Sequence, residues 1–479
     1  MSKDDDAMSP SAASSWFRFL PVDLGDTENL ERYMPGGFHP TSLGDVYDER
    51  YRVVHKLGAG GFSTVWLARD ETEQKWVALK IVVVDHSAAI ETKYASSQHA
   101  ALQCGGRAKF PIEYRHFTID GPNGRHLCLV LPVLGPSASQ LSCFLDSRMA
   151  PRLARKAAYQ AVQALANLHA QGFCHGDVTT SNIAFCLSDI DRYTEHHLSK
   201  LFGAPEKAPL ETESGEEPGP EAPQYIVRPI DFLASEENII SWDIQLLDFD
   251  QAFPASSPPQ DMLGTPVEFL APEVAVGLSA SPASDVWALG CSIYRLRSGE
   301  GPFSSIDVWT PRDVVSFITR TLGAIPVSWQ HILFDHEGQP TRDPSQDTPL
   351  VKSTDRRPLR DLVYNIYDKP ENGVETGKIR PEHQVWDEND NIPYPACFAD
   401  MVWKPKVTKI DNVYLHGYDD GTDELLEAMP KIPETEAALL HDLLSKIFVY
   451  DPAERITAGE MLSHPWFHVD QADPLPHGH

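Results

Sequence analysis

The sequence predicts an α+β fold in two lobes, the first built on strands and the second, larger one on helices. Three observations predict it. Between Tyr51 and Val84 three short apolar runs, the first alternating as a strand, are separated by turn residues. From Arg152 to Gly172 the chain becomes Ala- and Leu-rich with helical spacing. Between the two, the apolar run His126 to Leu134 is broken by Pro132, which places a linker there.

The elements follow in order. Residues 1–50 are polar and punctuated by Pro35-Gly36-Gly37-Phe38-His39-Pro40, and read as an irregular leader with no core of its own. YRVVHKL alternates as a strand, GAGGFS is a turn, TVWLARD is a second strand and Trp76 to Val84 a third. This lobe is expected over about 51–131, with a hinge at 132–135 and a second lobe over 136–467. The helix Arg152 to Gly172 opens that second lobe, and Gly172 supplies its stop. Between Glu206 and Glu221 there are six Glu, one Lys and three Pro, which mark a solvated acidic insertion over about 188–240. Order resumes at Ile244 to Asp250, and helical spacing returns at SPASDVWALGCSIYRLRSG and at Glu434 to Phe448. A second, looser insertion is expected over about 330–425, and residues 468–479 read as a tail.

The motifs carry more than the elements do. Leu57, Gly58, Ala59, Gly60, Gly61, Phe62, Ser63, Thr64 and Val65 span a glycine-rich turn between two strands. Glycines let a backbone approach phosphates and offer its N–H groups without a Cβ in the way. No helix follows the turn, which excludes the dinucleotide-binding arrangement, although a plain hairpin explains the glycines equally well. Fifteen residues beyond Val65, Lys80 ends V-A-L-K in an apolar strand, where a buried ammonium needs an anionic partner. His175-Gly176-Asp177 is followed by Asn182, a spacing that puts a base beside an attacking hydroxyl and an amide oxygen beside Mg²⁺. Asp248, after the apolar IQLL, is then the carboxylate that bridges metal to phosphate. Each acid alone is more simply a turn former or cap. Their order, continued by Ala271-Pro272-Glu273 and Ser284-Asp285-Val286-Trp287, is that of the phosphotransfer signature set.

Over roughly residues 51–467 the chain therefore resembles a eukaryotic protein kinase, and more closely the SR-protein kinase family. The leader YMPGGFHPTSLGDVYDERYRVVHKLGAGGFSTVWLARD is similar to that family's entry into its first strands, and LCLVLPVLGPS to its hinge. The LGAIPVSW segment near Leu322 resembles the wider group, and the 65 residues between Asn182 and Asp248 loosely match its inserted spacers. The resemblance implies a two-lobed protein kinase-like fold and Ser/Thr phosphorylation of arginine–serine-rich or otherwise basic proteins, with ATP and Mg²⁺ as cofactors. It implies Asp177 as catalytic base and Asn182 and Asp248 as metal ligands. Leu57 to Val65, Ala78, Lys80, Leu131 and Val133 would bind ATP. It also pairs Glu273 with Arg455.

Several positions depart from the family pattern. Gly176 replaces the arginine of H-R-D, and Thr179 stands where a lysine usually meets the transferring phosphate. Asp250 replaces the glycine of D-F-G. In the helix after Lys80, Glu91 is early and Gln98 occupies the aligned glutamate position. GTPVEFLAPE lacks the arginine that SR-protein kinases carry before the final glutamate. Glu273 follows Asp248 by 25 residues, and the only hydroxyls between them are Ser256, Ser257 and Thr265, with no arginine to clamp a phosphate. These departures keep open a pseudokinase scaffold that binds nucleotide and partners with little catalysis. A small-molecule kinase of similar fold is a third reading, disfavoured by SDVWALG and APE.

Composition sets the partners. The net charge of −29 repels nucleic-acid phosphates and attracts basic peptides, so no direct nucleic-acid partner is expected. No run approaches 18 apolar residues, and the acidic N-terminus lacks a signal peptide's basic start and apolar core, so no membrane is expected either. Seven scattered cysteines without a CxxC pair fit a reducing compartment, cytoplasm or nucleus. A monomer is expected.

Overall fold

The computed structural model describes residues 17–25, 27–92, 110–142, 147–305, 307–329, 331–343, 345, 348, 350, 356–369, 395–403, 409–410, 413–414 and 430–471. The chain divides into two compact units, one of residues 1–91, 113–131 and 193–230 and one of residues 92–112, 132–192 and 231–479.

The first unit is built on a six-stranded antiparallel sheet: β1 (Val46–Tyr47), β2 (Tyr51–Ala59), β3 (Ser63–Asp70), β4 (Lys75–Val82), β5 (Arg115–Gly121) and β6 (Gly124–Leu131). The strand order is β1-β2-β3-β4-β6-β5. The alternating residues of these strands converge on one face, where Tyr51, Val53, Trp66, Ala68, Val77, Leu79, Ile81, Cys128 and Val130 form a core. β6 pairs with β4 on one side and β5 on the other, and ends immediately before Pro132. A helix begins over residues 84–92.

The leader and the acidic insertion do not behave as their composition predicts. Phe19, Leu24, Tyr33 and Phe38 of the leader form a second core with Val83 of the sheet region and with Leu210, Ala222 and Ile226 of the insertion. Within the insertion, Lys207–Pro209 pairs antiparallel with Tyr225–Val227, and Val227 joins the core of the main sheet. Its backbone is stitched down as well. The Ile230 N–H donates to the Lys56 carbonyl at 3.0 Å, and Asn123 Nδ2 donates to the Glu221 carbonyl at 2.7 Å. The glutamates at 206, 211, 213, 216 and 217 remain exposed, so the composition describes one face and misses the other. Burying a Leu, Ile or Phe side chain contributes roughly 1.5–3 kcal/mol, whereas doubling a loop's length costs only about 0.6 kcal/mol. A few apolar side chains therefore outweigh the closure of a long insertion.

The PGGF punctuation reverses the leader onto itself. The Phe38 N–H donates to the Arg32 carbonyl at 2.9 Å, and a Cβ at Gly37 would lie 1.8 Å from that same oxygen. Only glycine fits there.

The second unit is helical. α1 (Pro151–Ala170) starts with proline at its first position and buries Leu153, Ala157, Ala161, Ala164, Leu165 and Leu168. Beyond it Gly172 takes φ +77°, a left-handed stop. α2 (Pro282–Ser298) opens with a Ser281/Ser284 capping box and is buried almost all round. α3 (Pro311–Leu322) and α4 (Glu434–Ile447) complete the long helices. Strands Leu134–Ser137, Ile183–Leu187 and Ile240–Leu246 form a small sheet that carries the segments described below. The expected second insertion, about 330–425, falls largely outside the described residues; its described parts include the helix Leu359–Tyr364 and a pairing of Val402–Trp403 with Arg148–Met149. Among the described residues Cys128, Cys174, Cys186, Cys291 and Cys397 are free thiols, and no helix is long and apolar enough to cross a membrane.

Candidate active site

The loop His175–Asn182 and the segment after Leu246 are fixed to each other. Asn182 donates from Nδ2 to Asp177 Oδ2 at 2.7 Å and to the Asp177 carbonyl at 2.9 Å. The Leu247 N–H donates to the Asn182 carbonyl at 2.7 Å. His175 bridges the two segments from its ring. Nε2 lies 2.8 Å from the Leu247 carbonyl, and Nδ1 accepts from the Asp177 N–H at 3.2 Å. That pairing requires a neutral ring protonated at Nε2, and burial pushes the His175 pKa below its ordinary value in the same direction.

Asp248 sits at φ +62°, a left-handed backbone that aspartate tolerates better than most residues. Its carboxylate accepts from the Asp250 N–H at 3.4 Å, capping the single turn Phe249–Gln251. Phe249 is buried against the edge of Phe110, with ring centroids 5.3 Å apart, and tilts over His175 at 5.1 Å. The D-F-D segment is thus packed from its aromatic centre.

Three residues of the second unit hold the loop from behind. Asp285 on α2 accepts from the backbone N–H of His175 at 2.7 Å, from that of Gly176 at 2.8 Å and from His169 Nε2 at 2.9 Å. Ser292, two turns along the same helix, donates to the Val178 carbonyl at 2.9 Å, and Thr265 donates to the Gly176 carbonyl at 2.6 Å. The sequence marked Asp285 only as part of SDVW and gave Ser292 and Thr265 no structural role. Nothing short of the tertiary fold reveals these bonds, because they join residues some 90 to 115 positions apart.

Gly176 has a structural reason as well. It adopts φ +80°, and a Cβ there would lie 2.5 Å from the Gln251 carbonyl oxygen. The arginine of the usual H-R-D does not fit this backbone.

Electrostatically the loop is poised. Burial, then the negative charge of Asp248, push the Asp177 carboxyl up to about 7, with smaller contributions from Asp285 and Asp250, while the Asn182 hydrogen bond opposes them. Asp177 Oδ1 is buried and has no hydrogen-bond partner, so one lone pair of the proposed base is left for another group. Thr179 is buried and carries no charge to offset this negative potential.

The donor set fits Mg²⁺. Among the described residues no three His, Cys, Asp or Glu side chains gather to hold a metal unaided. Asn182 keeps its amide oxygen while its nitrogen binds Asp177, and Asp248 adds a carboxylate. If Asn182 and Asp248 each gave one oxygen, phosphate and water would complete the shell, which would suit Mg²⁺, an ion that retains much of its hydration.

The first unit carries the remaining predicted residues. Ala59 faces Thr64 across the β2–β3 hairpin, and the Gly60 N–H donates to the Ser63 carbonyl at 2.9 Å. A Cβ at Gly58, Gly60 or Gly61 would meet open space, so the glycines are not demanded by packing. Val65 pairs with Lys80, Lys80 with Leu129, and Ala78 with Leu131. Ala78 is buried, and Leu57, Lys80 and Leu131 are partly so. Val133 is buried and belongs to the second unit. Glu91 is exposed in the helix that starts at residue 84, and Gln98 lies outside the described residues.

At the far end of the segment, Arg455 forms a two-armed ion pair with Glu273, at 2.7 and 2.9 Å, fully buried and joined by Ser284 Oγ at 3.1 Å. The pairing implied by the resemblance is present.

The protein kinase domain model matches residues 51–193 and 232–467. The chain belongs to the protein kinase family. The gap in that match falls on the insertion that folds into the first unit. As a protein kinase family member it is similar to serine/threonine-protein kinase spk-1 of Caenorhabditis elegans, 35% identical over 35% of this chain and 18% of that protein. Human SRSF protein kinase 3 is 34% identical over 36% of this chain and 31% of its own length. Serine/threonine-protein kinase SRPK of Physarum polycephalum is 29% identical over 58% of this chain and 68% of its own. The chain thus spans less than a third of the first two of these relatives.

Proposed function

We propose that this chain is an ATP-dependent serine/threonine protein kinase acting on arginine–serine-rich or otherwise basic proteins. The observation that carries the reading is Asp177: hydrogen-bonded to Asn182, its carboxyl raised to about 7, with Oδ1 unengaged. Such a group suits a base that accepts or orients a substrate hydroxyl's proton near neutral pH. Asn182 and Asp248 would hold Mg²⁺, and the loop Leu57 to Val65 with Lys80 would hold the ATP phosphates. The substrate class is supported by the similarity to human SRSF protein kinase 3 and by the acidic net charge.

Thr179 and Asp250 favour a second reading, a scaffold that binds nucleotide without transfer. Replacing a cation at Thr179 removes charge stabilisation that a transferring phosphate needs. Radiolabelled ATP offered with an arginine–serine peptide and with a generic basic protein separates the two. Transfer above an Asp177→Ala control supports the kinase. ATP binding with no transfer above that control leaves the scaffold.

A further inference from the structure

The glycine-rich loop has little to hold it from within its own hairpin. Gly58, Gly60 and Gly61 each have open space where a side chain would be, and Phe62 at the tip is exposed. Glycine loses more conformational freedom on ordering than any other residue. A loop of this composition binds phosphate well only if something else reduces its choices.

The leader supplies that restraint. Arg32 Nη1 donates to the Gly61 carbonyl, and its guanidinium lies over the Phe38 ring at 5.2 Å and the Phe62 ring at 6.0 Å. Phe62 in turn packs on His86, with centroids 4.5 Å apart, and its carbonyl accepts from the Val83 N–H at 2.9 Å. Arg32 is itself placed by buried structure. It closes the turn Leu30–Arg32 before Tyr33, and its carbonyl receives the Phe38 N–H. Tyr33 donates to Glu28 at 2.5 Å, and Glu28 is paired with the wholly buried Lys56 of β2. The anchor therefore runs from the loop tip through the leader to the strand that opens the loop.

We infer that Arg32 is a positioning residue for nucleotide, fixing the Gly61–Phe62 peptide of the glycine-rich loop from outside the kinase-family segment. In a trans peptide the C=O and the following N–H point in opposite directions. Holding the Gly61 carbonyl toward the leader turns the Phe62 N–H away from it, as a phosphate-binding donor requires. This rests on the kinase reading above, and its test keeps the two apart.

The test uses the full chain, with Arg32→Ala, Arg32→Lys and, as a control on the exposed Arg228–Glu206 pair, Arg228→Ala. Hydrogen exchange of residues 58–64 and binding of a fluorescent mant-ATP with Mg²⁺ are read on each, together with KM for ATP and kcat. Arg32→Ala is expected to speed loop exchange and weaken nucleotide binding about three- to tenfold, raising KM for ATP with kcat nearly unchanged. Arg32→Lys, which keeps one charged donor, should recover part of the loss, and Arg228→Ala should match the parent. Unchanged loop exchange in Arg32→Ala overturns the inference. So does faster exchange with unchanged nucleotide affinity, because the contact then restrains the loop without serving nucleotide. A parent protein that binds no mant-ATP overturns both the kinase reading and the nucleotide role of Arg32, whereas binding without transfer removes catalysis alone.

Discussion

Asp177 is held in an unfavourable ionic state. Its carboxyl is raised toward 7 chiefly by burial, then by Asp248, while in the unfolded chain it ionises near 3.8. Between those values the folded protein binds a proton that the unfolded chain has released, so this group lowers stability as pH rises. Asp177→Asn, which does not titrate, is expected to gain in Tm over the parent from about pH 4 to about 7 and to hold a level advantage above that, with a ceiling of roughly 4 kcal/mol. Activity should run the other way. In the parent, kcat/KM rises with an apparent pKa near 7 as the base ionises, and the variant loses it at every pH. Thermal melts from pH 4 to 9 measure the first trend, and a Tm difference independent of pH would contradict the raised pKa. That Asp177, Asn182 and the segment of Asp248 belong together was legible in the sequence, because their order along the chain is that of the phosphotransfer signature set. Asp285, Ser292 and Thr265 support the loop through bonds to its backbone, and backbone recognition leaves no local signature.

At the scale of elements, the strands and helices were legible wherever apolar residues recur with a period. β2 opens with the two-residue alternation, β3 and β4 are short apolar runs bounded by polar turns, and α1 shows the helical spacing. The leader and the insertion were not. Their apolar side chains, Phe19 to Phe38 and Leu210 to Ile226, are few and aperiodic, and they bury against each other and Val83 across more than 170 positions. The Glu28–Lys56 pair makes this dependence measurable. Both side chains are fully buried, and the Lys56 ammonium also lies 5.6 Å above the Trp66 ring. Glu28→Ala leaves a buried cation without its carboxylate and is expected to cost about 3–5 kcal/mol. Burial already depresses the Lys56 pKa, so in the variant the unfolded chain binds the extra proton and stability recovers as pH rises toward 10. Glu28→Ala combined with Lys56→Met should regain most of the loss at pH 7, since an apolar pair of similar volume needs no counter-charge. Denaturant unfolding at pH 7 and 9.5 distinguishes these outcomes, and a leader that is only loosely attached would show no change in any of them.

For the whole molecule, charge is the property with the longest reach. The 69 acidic and 40 basic residues leave −29, and the insertion places exposed glutamates over a layer whose inner face is apolar. The fold thus uses the same segment twice, to complete a core and to carry surface charge. A negative field of this size draws a basic substrate toward the protein without contacting it, and salt shortens its range, from about 30 Å at 0.01 M to about 8 Å at 0.15 M. Raising salt from 0.05 to 0.5 M is therefore expected to increase KM for a basic peptide several-fold while kcat and KM for ATP change little, because field-driven association enters through the encounter. A neutral peptide carrying the same acceptor serine should show a nearly flat series. If the basic and neutral peptides respond alike, the surface charge contributes solubility alone, and recognition of a basic substrate must come from short-range contacts.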